Sequence, residues 1–243
     1  MTDSRALIPA HPPAASRPGE AISPAAARSS TRHENLNLGF AIETGTVGAN
    51  LDLFAEGRRL QARMIQSDQR HFLFDSLPDD AFARSACMAV ARNGDDVFGT
   101  VLAHPDADGA LLVRTLIVNP AYAGLRMGSA LASAVILDAF VRGVPFASVT
   151  CAVRVLRDGS LNKPSEKSFH RIGFATEAGI HKARLAGTLR DGHLVPTAEV
   201  DEFGHFVRYV RLRGARAEVL DRSVAMLAEW RDIPIPLDRL LAE

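Results

Sequence analysis

The chain is short of most features that assign a protein at sight. It has two cysteines, Cys87 and Cys151, in 243 residues. Two thiols cannot build the framework of a disulfide-stapled secreted domain, which points to a reducing compartment. There is no excess of charge, since 28 Lys+Arg balance 28 Asp+Glu. That balance removes any global pull toward nucleic acid or an anionic membrane. No apolar run approaches a membrane span, the N-terminus lacks the apolar core of a secretory signal, and no internal repeat is visible. The expectation is a cytoplasmic protein that neither enters membranes nor takes nucleic acid as its partner.

Nearly half of the chain, 47%, is apolar, enough for a sizeable core. Residues 1–34 are the exception. They are rich in Pro, Ala, Ser and Arg without apolar periodicity, so burial cannot offset their ordering entropy. They are expected to form a disordered tail. The same Arg- and Ser-rich, acid-poor composition also suits a transit or export address. A domain over 35–213 follows, then a helical extension over 214–243.

Within that domain, residues 36–47 suit a strand and turn, and 51–66 carry Leu51, Phe54, Leu60 and Met64 at helical spacing. Pro78-Asp79-Asp80 opens a helical turn. Residues 86–92 and 97–104 flank Asn93-Gly94 as a hairpin, and 110–118 completes a three-strand meander. A helix over 124–142, apolar almost all round and stopped by Gly143, must pack on a sheet. The β-branched run 146–155 follows this crossover, so it should lie parallel to the preceding strand. A helix over 162–174, a strand over 205–212 and an amphipathic helix over 217–230 end the pattern. The fold class expected is α+β: a mixed, mostly antiparallel, twisted sheet with helices on both faces.

Residues 111–131, LLVRTLIVNPAYAGLRMGSAL, carry the chemistry. A strand ends at Asn119-Pro120, a turn carries Gly124 and Gly128, and a long helix begins. Free backbone N–H groups of the turn and the partial positive charge of the helix N-terminus suit a pyrophosphate. Arg126 reads either as a phosphate partner or as a solvated loop residue. Cys151 reads as a buried structural thiol or as a nucleophile, with no His and carboxylate placed to activate it. His104, Asp106 and Asp108 read as a turn rather than a metal site. Arg208, Arg211, Arg213 and Arg216 read as solvated positions or as a local basic face.

The same stretch resembles the acyl-CoA-binding motif of the GNAT acyltransferase superfamily, Arg/Gln-x-x-Gly-x-Gly/Ala at a helix start. Val118-Asn119-Pro120 matches the strand end and Gly128 the last glycine. Ala123 stands at the Arg/Gln position and Arg126 at the central glycine. A second match is Asn-x-x-Ala/Ser-x-x-x-Tyr-x-x-x-Gly-Phe, met by Asn162, Ser165, Gly173 and Phe174, with Phe169 at the Tyr position. The resemblance implies a GNAT-type sheet whose central strands splay beside the ligand. It implies acetyl-CoA, or another acyl-CoA, as co-substrate. The pantetheine arm would pair along Leu116, Ile117 and Val118. Gly124, Leu125, Arg126, Met127, Gly128 and Ser129 would hold the pyrophosphate, with Asn162 and Phe169 nearby.

The activity implied is transfer of an acyl group, most simply acetyl, to a primary amine by direct attack in a ternary complex. The acceptor would be a small molecule or peptide. Phe169 has no proton to give the leaving thiolate, so the acid is unassigned. His170 is a weak substitute, and Glu166 and Glu177 are weak candidates for the base. The acceptor pocket would be built from residues 51–77 and the loop 188–204, and the C-terminal helix could join a partner copy as a homodimer. Two other readings stay open: a non-catalytic acyl-CoA sensor or scaffold, and a transferase for long acyl chains or macromolecules.

Overall fold

The structure is a computed structural model that describes residues 31–46, 50–67, 73, 87–190, 193–201 and 203–232. Most of the expected tail, the Pro78–Asp80 turn and the chain beyond residue 232 lie outside the described residues. The tail boundary moves, however. Residues 31–34, expected within the tail, belong to strand β1 (Thr31–Asn35), which pairs with β2 (Phe40–Gly45). The pattern of an edge strand was hidden there by its polar residues, which are mostly exposed.

Helix α1 (Leu51–Ile65) leads to the meander β3 (Cys87–Asn93), β4 (Asp96–Pro105) and β5 (Ala110–Val118). After a 3-10 turn at Pro120–Tyr122 comes α2 (Met127–Val141), then β6 (Ser148–Val155) and α3 (Lys163–Arg171). Two-residue strands β7 (Ala175–Thr176) and β8 (His181–Lys182) follow. Strands β9 (Arg184–Arg190) and β10 (His193–Ala198) form a separate hairpin where the sequence suggested a loop. Strand β11 (Arg208–Ala215) and helix α4 (Arg216–Arg231) close the described chain.

The main sheet runs β1-β2-β3-β4-β5-β6-β11-β7, with β8 also on β11. Every neighbouring pair is antiparallel except β5 and β6, which the α2 crossover makes parallel. Helix α1 covers one face, setting Leu53, Leu60 and Met64 on Met88, Val90, Leu102 and Ile117. Helices α2 and α4 cover the other. The fold is therefore α+β, a mixed and mostly antiparallel sheet with helices on both faces, as the sequence pattern required.

Helix α2 is apolar all round because it is enclosed by the sheet and by α4; Ala130, Ala134, Val135 and Ile136 have no solvent exposure. Its one buried acid, Asp138, is satisfied by Thr44 Oγ1 at 2.9 Å and by Arg142 Nε at 2.6 Å. Helix α4 is not the appendage that a 214–243 extension implies. Val219, Met226 and Trp230 belong to the main core, Trp230 fully buried, and the Asn35 side chain donates to the Trp230 carbonyl. Among the described residues no helix is long and apolar enough to cross a membrane.

Candidate functional site

The site begins where the parallel pair comes apart. Strands β5 and β6 are in register from Ala110 opposite Ser148 to Val113 opposite Cys151, and no further. Residues 114–118 keep their partner β4 on one side, and 152–155 keep β11 on the other. Between them the strands part, and residues 161–162 line the β6 side of the opening: Val155 bridges Leu161, and Asn162 donates its N–H to the Arg154 carbonyl at 2.9 Å. The cause is visible in β5. Thr100 pairs with Ile117 and Leu102 with Arg114, so Thr115 and Leu116 together oppose Val101. This bulge bends β5, and Thr115 takes a φ of 54°. A β-branched residue in the left-handed region is strained, and such strain gathers at functional sites. Thr115 is a residue that sequence reading missed, because no Gly, Asn or Asp marks the bulge.

Past the bulge the chain is pinned. Asn119 donates its backbone N–H to the Phe98 carbonyl at 2.7 Å, and its side chain accepts from the Ala121 N–H at 3.1 Å. Tyr122 stacks on Phe98 with centroids 3.9 Å apart and donates its hydroxyl to Asp96 at 3.2 Å. Gly124 then takes φ 84° and Arg126 φ 54°, reversing the chain into α2. The first-turn N–H groups of α2, at Met127, Gly128 and Ser129, have no acceptor within the helix. They lie at the C-terminal end of β5, beside the gap. Gly128 also lets α3 approach, since a Cβ there would stand 2.6 Å from Ser168 Oγ.

The sequence-derived residues divide by how they stand. Leu116 and Val118 are half-buried against the core under α2, while Ile117 is buried on the α1 side. Leu125, Met127 and Ser129 have buried side chains, so they can offer a ligand only backbone. Ser129 Oγ donates to the Ser168 carbonyl at 3.1 Å. Arg126 turns its guanidinium to Glu229 of α4 at 2.5 Å. Asn162 caps α3, accepting from the Ser165 N–H at 3.4 Å.

Phe169 is 2% exposed and packs on Phe174 with centroids 5.2 Å apart. It was expected beside a ligand; the structure sets it in the core. His170 is turned away from the gap. His170 Nδ1 donates to the Phe174 carbonyl at 2.7 Å, its Nε2 stands 3.4 Å from Thr176 Oγ1, and Glu166 pairs with Lys163 at 2.8 Å. The His170 contacts lead toward β7, on the far side of β11 from β5, while Glu166 stays in the first turn of α3 beside Asn162. Glu177 is held by Arg213 at 2.6 Å. Cys151 is 1% exposed, and burial pushes its thiol pKa well up, which disfavours the thiolate that a nucleophile needs. His104, Asp106 and Asp108 border a hairpin turn, and no group of three or more metal-ligating side chains occurs among the described residues.

A second feature adjoins the gap. The end of β6, Lys182 of the short β8, Asp201 and residues 203–208 line an open pocket of about 1000 Å³. Because β11 runs antiparallel to β6, it begins at the end of the sheet where β5 and β6 part, so pocket and gap share Arg154 and Val155. Val200 bridges Phe206 to form the outer wall. Asp201, its side chain 6% exposed, braces that wall by accepting from the Phe203 and His205 N–H groups at 2.9 Å each and from Arg157 Nε at 3.2 Å. Desolvation opposes its charge, but the two amides, Arg157 and His205 outweigh it and hold the carboxyl below the usual range. The Arg154 guanidinium donates to the Leu73 carbonyl.

No family model matches the chain, and no curated protein does. Solved structures do resemble it. An N-acetyltransferase from Staphylococcus aureus Mu50 shares 14% identity over 73% of this chain and 98% of its own, with a TM-score of 0.47. A GNAT family acetyltransferase from Elizabethkingia anophelis, solved with acetyl-CoA bound, shares 13% over 73% and 98%, with a TM-score of 0.44. The ribosomal-protein-S18-alanine N-acetyltransferase from Escherichia coli shares 14% over 72% and 93%, with a TM-score of 0.46. These acetyltransferases are what the chain is distantly similar to, and the gap between β5 and β6 with its cap of amides is read from this chain's own residues.

Proposed function

We propose that the protein is an acyltransferase that moves an acyl group, most simply acetyl, from CoA to a primary amine by direct attack in a ternary complex. One observation carries this reading: past Val113 strand β5 has left β6 and turns an edge toward the amides at the start of α2, which have no acceptor within the helix. A pyrophosphate suits those amides, and an extended amide-bearing arm suits the unpaired edge of β5. The thioester would then lie in the gap between the strands. The residues fit such a co-substrate through backbone rather than side chains, since Arg126 is held by Glu229 and Ser129 by α3.

The chemistry asked of the protein is mainly positioning. The amine nitrogen attacks the thioester carbonyl carbon, the C–S bond breaks to release the CoA thiolate, and the proton lost by the nitrogen ends on that sulfur as free thiol. Holding the reactants in line can lower the barrier by roughly 7–11 kcal/mol in well-oriented systems. Backbone N–H groups at the strand edges can stabilise the developing oxyanion. A cytoplasmic setting accords with two thiols that are both buried and unpaired.

The experiment is titration with CoA and acetyl-CoA by calorimetry, followed by thiol release against a panel of amines. Heat of binding and amine-dependent thiol release are expected. Absence of heat at millimolar ligand would remove the acyl-donor assignment. A second reading, an acyl-CoA sensor without turnover, is favoured by one observation: the Tyr position holds a buried Phe169. CoA binding with no thiol release over background would select it.

A further inference from the structure

The pocket beside the gap has a charge arrangement that the fold does not need. Strand β8 pairs with β11 so that Lys182 stands directly opposite Arg208. Like charges in directly opposed positions of a strand pair are destabilising. Neither has a carboxylate within ion-pair distance among the described residues. Lys182 Nζ instead sits 4.1 Å over the Phe206 ring. The lining also includes Arg154 and Arg157 against Asp158 and Asp201, and Asp201 is already engaged by Arg157. Among the described lining residues the cations therefore outnumber the acids, and two of those cations are juxtaposed across a strand pair. Phe206 and Phe203 are 50% and 62% exposed and supply an apolar flank.

Resting on the acyltransferase reading, we infer that this pocket receives the anionic end of the acceptor. The substrate is an amine that also bears an oxyanion, a carboxylate or a phosphate, held between Lys182 and Arg208. The anion relieves the repulsion between the two cations, and the carbon skeleton lies along Phe206. Because the pocket shares Arg154 and Val155 with the gap, an acceptor anchored there can direct its amine toward the thioester. A neutral amine gains no such anchor. This assigns recognition of the acceptor to β8, the start of β11 and the bridge at Val200 and Phe206.

The test compares matched amines: an amino acid, its decarboxylated counterpart and a phosphorylated amine. Each is titrated by calorimetry into the free protein, and each is assayed with acetyl-CoA. The anionic amines are expected to bind about tenfold more tightly than the neutral one, and to show a correspondingly lower KM. That preference should shrink severalfold in Lys182→Gln and Arg208→Gln and weaken with added salt. The carboxylate and phosphate arms show which oxyanion the site favours. Equal binding of anionic and neutral amines, or a preference untouched by both variants, overturns the inference. The acyl-donor reading fails separately, by absence of CoA heat. Lys182 and Arg208 are themselves exposed, and thermal melts confirm that each variant is folded.

Discussion

Arg126 carries a left-handed backbone, φ 54°, and its side chain reaches 103 residues along the sequence to pair with Glu229 at 2.5 Å. One residue thus bears a strain at the start of α2 and ties that start to α4. The position is the one where the acyl-CoA motif has its central glycine, and the conformation explains why glycine suits it.

Arg126→Gly tests which property matters. Relief of the left-handed backbone is worth about 1–2 kcal/mol. The lost pair, between side chains 42% and 58% exposed, is worth about 0–1 kcal/mol. The net expectation runs from unchanged stability to a gain of about 2 kcal/mol, a rise in Tm of up to roughly 4–8 °C. CoA affinity should hold. A tenfold loss of affinity would mean that the guanidinium leaves Glu229 for the phosphate.

Thr115→Gly addresses the bulge. The substitution removes strain of about 1–3 kcal/mol but frees the strand to move. Stability should stay level or rise, while kcat/KM for acyl transfer falls. An unchanged kcat/KM would show that the bulge does not aim the edge of β5.

Trp230→Ala separates an appended α4 from an integral one. Trp230 is fully buried in the main core, so truncation should cost about 3–5 kcal/mol in a denaturant melt. A loss below about 1 kcal/mol would return α4 to the status of an extension.

The thiols offer a chemical test. Cys87 and Cys151 are 0% and 1% exposed, and burial pushes both pKa values up, with the Asp138 charge adding to the rise at Cys87. A thiol reagent should label neither in the native state and both in denaturant. Cys151→Ala should retain transfer activity. Rapid labelling of Cys151 in folded protein would reopen a nucleophilic role.

His33 sets a pH dependence. Burial, reinforced by the charge of Arg231 and only partly opposed by Asp138, lowers its pKa from the ordinary value. The unfolded chain therefore takes up this proton first, near pH 6.5, and the folded chain only below that. Stability is lost as pH falls through this window and is unaffected above it. In His33→Gln the fall in Tm between about pH 7 and pH 5 should be shallower than in the parent. An equal or steeper fall would show that another group governs the response.

Much of the fold was legible because it rests on local chemistry. Asn93-Gly94 marks a hairpin, the apolar stretch through Leu131 and Ile136 can only be an enclosed helix, and the β-branched run through Val153 a buried strand. Strand β1 was not legible, because an exposed edge strand of Thr, Arg, His, Glu and Asn has no apolar alternation to detect. The hairpin of β9 and β10 was read as a loop for want of a periodic pattern. His170 was plausible by type and spacing, yet helical phase turned it toward Thr176, away from the parted strands.

The sequence by itself determined the order of elements from α1 through α3 and the amide-rich turn at the start of α2, since these depend on neighbours within a few residues. Only the tertiary structure decided where β5 and β6 part, that Arg126 serves Glu229, that Phe169 is core, and that Lys182 faces Arg208. Each of these depends on strand register or on a meeting of distant segments, and register is fixed by the packing of the whole sheet rather than by any local run of residues.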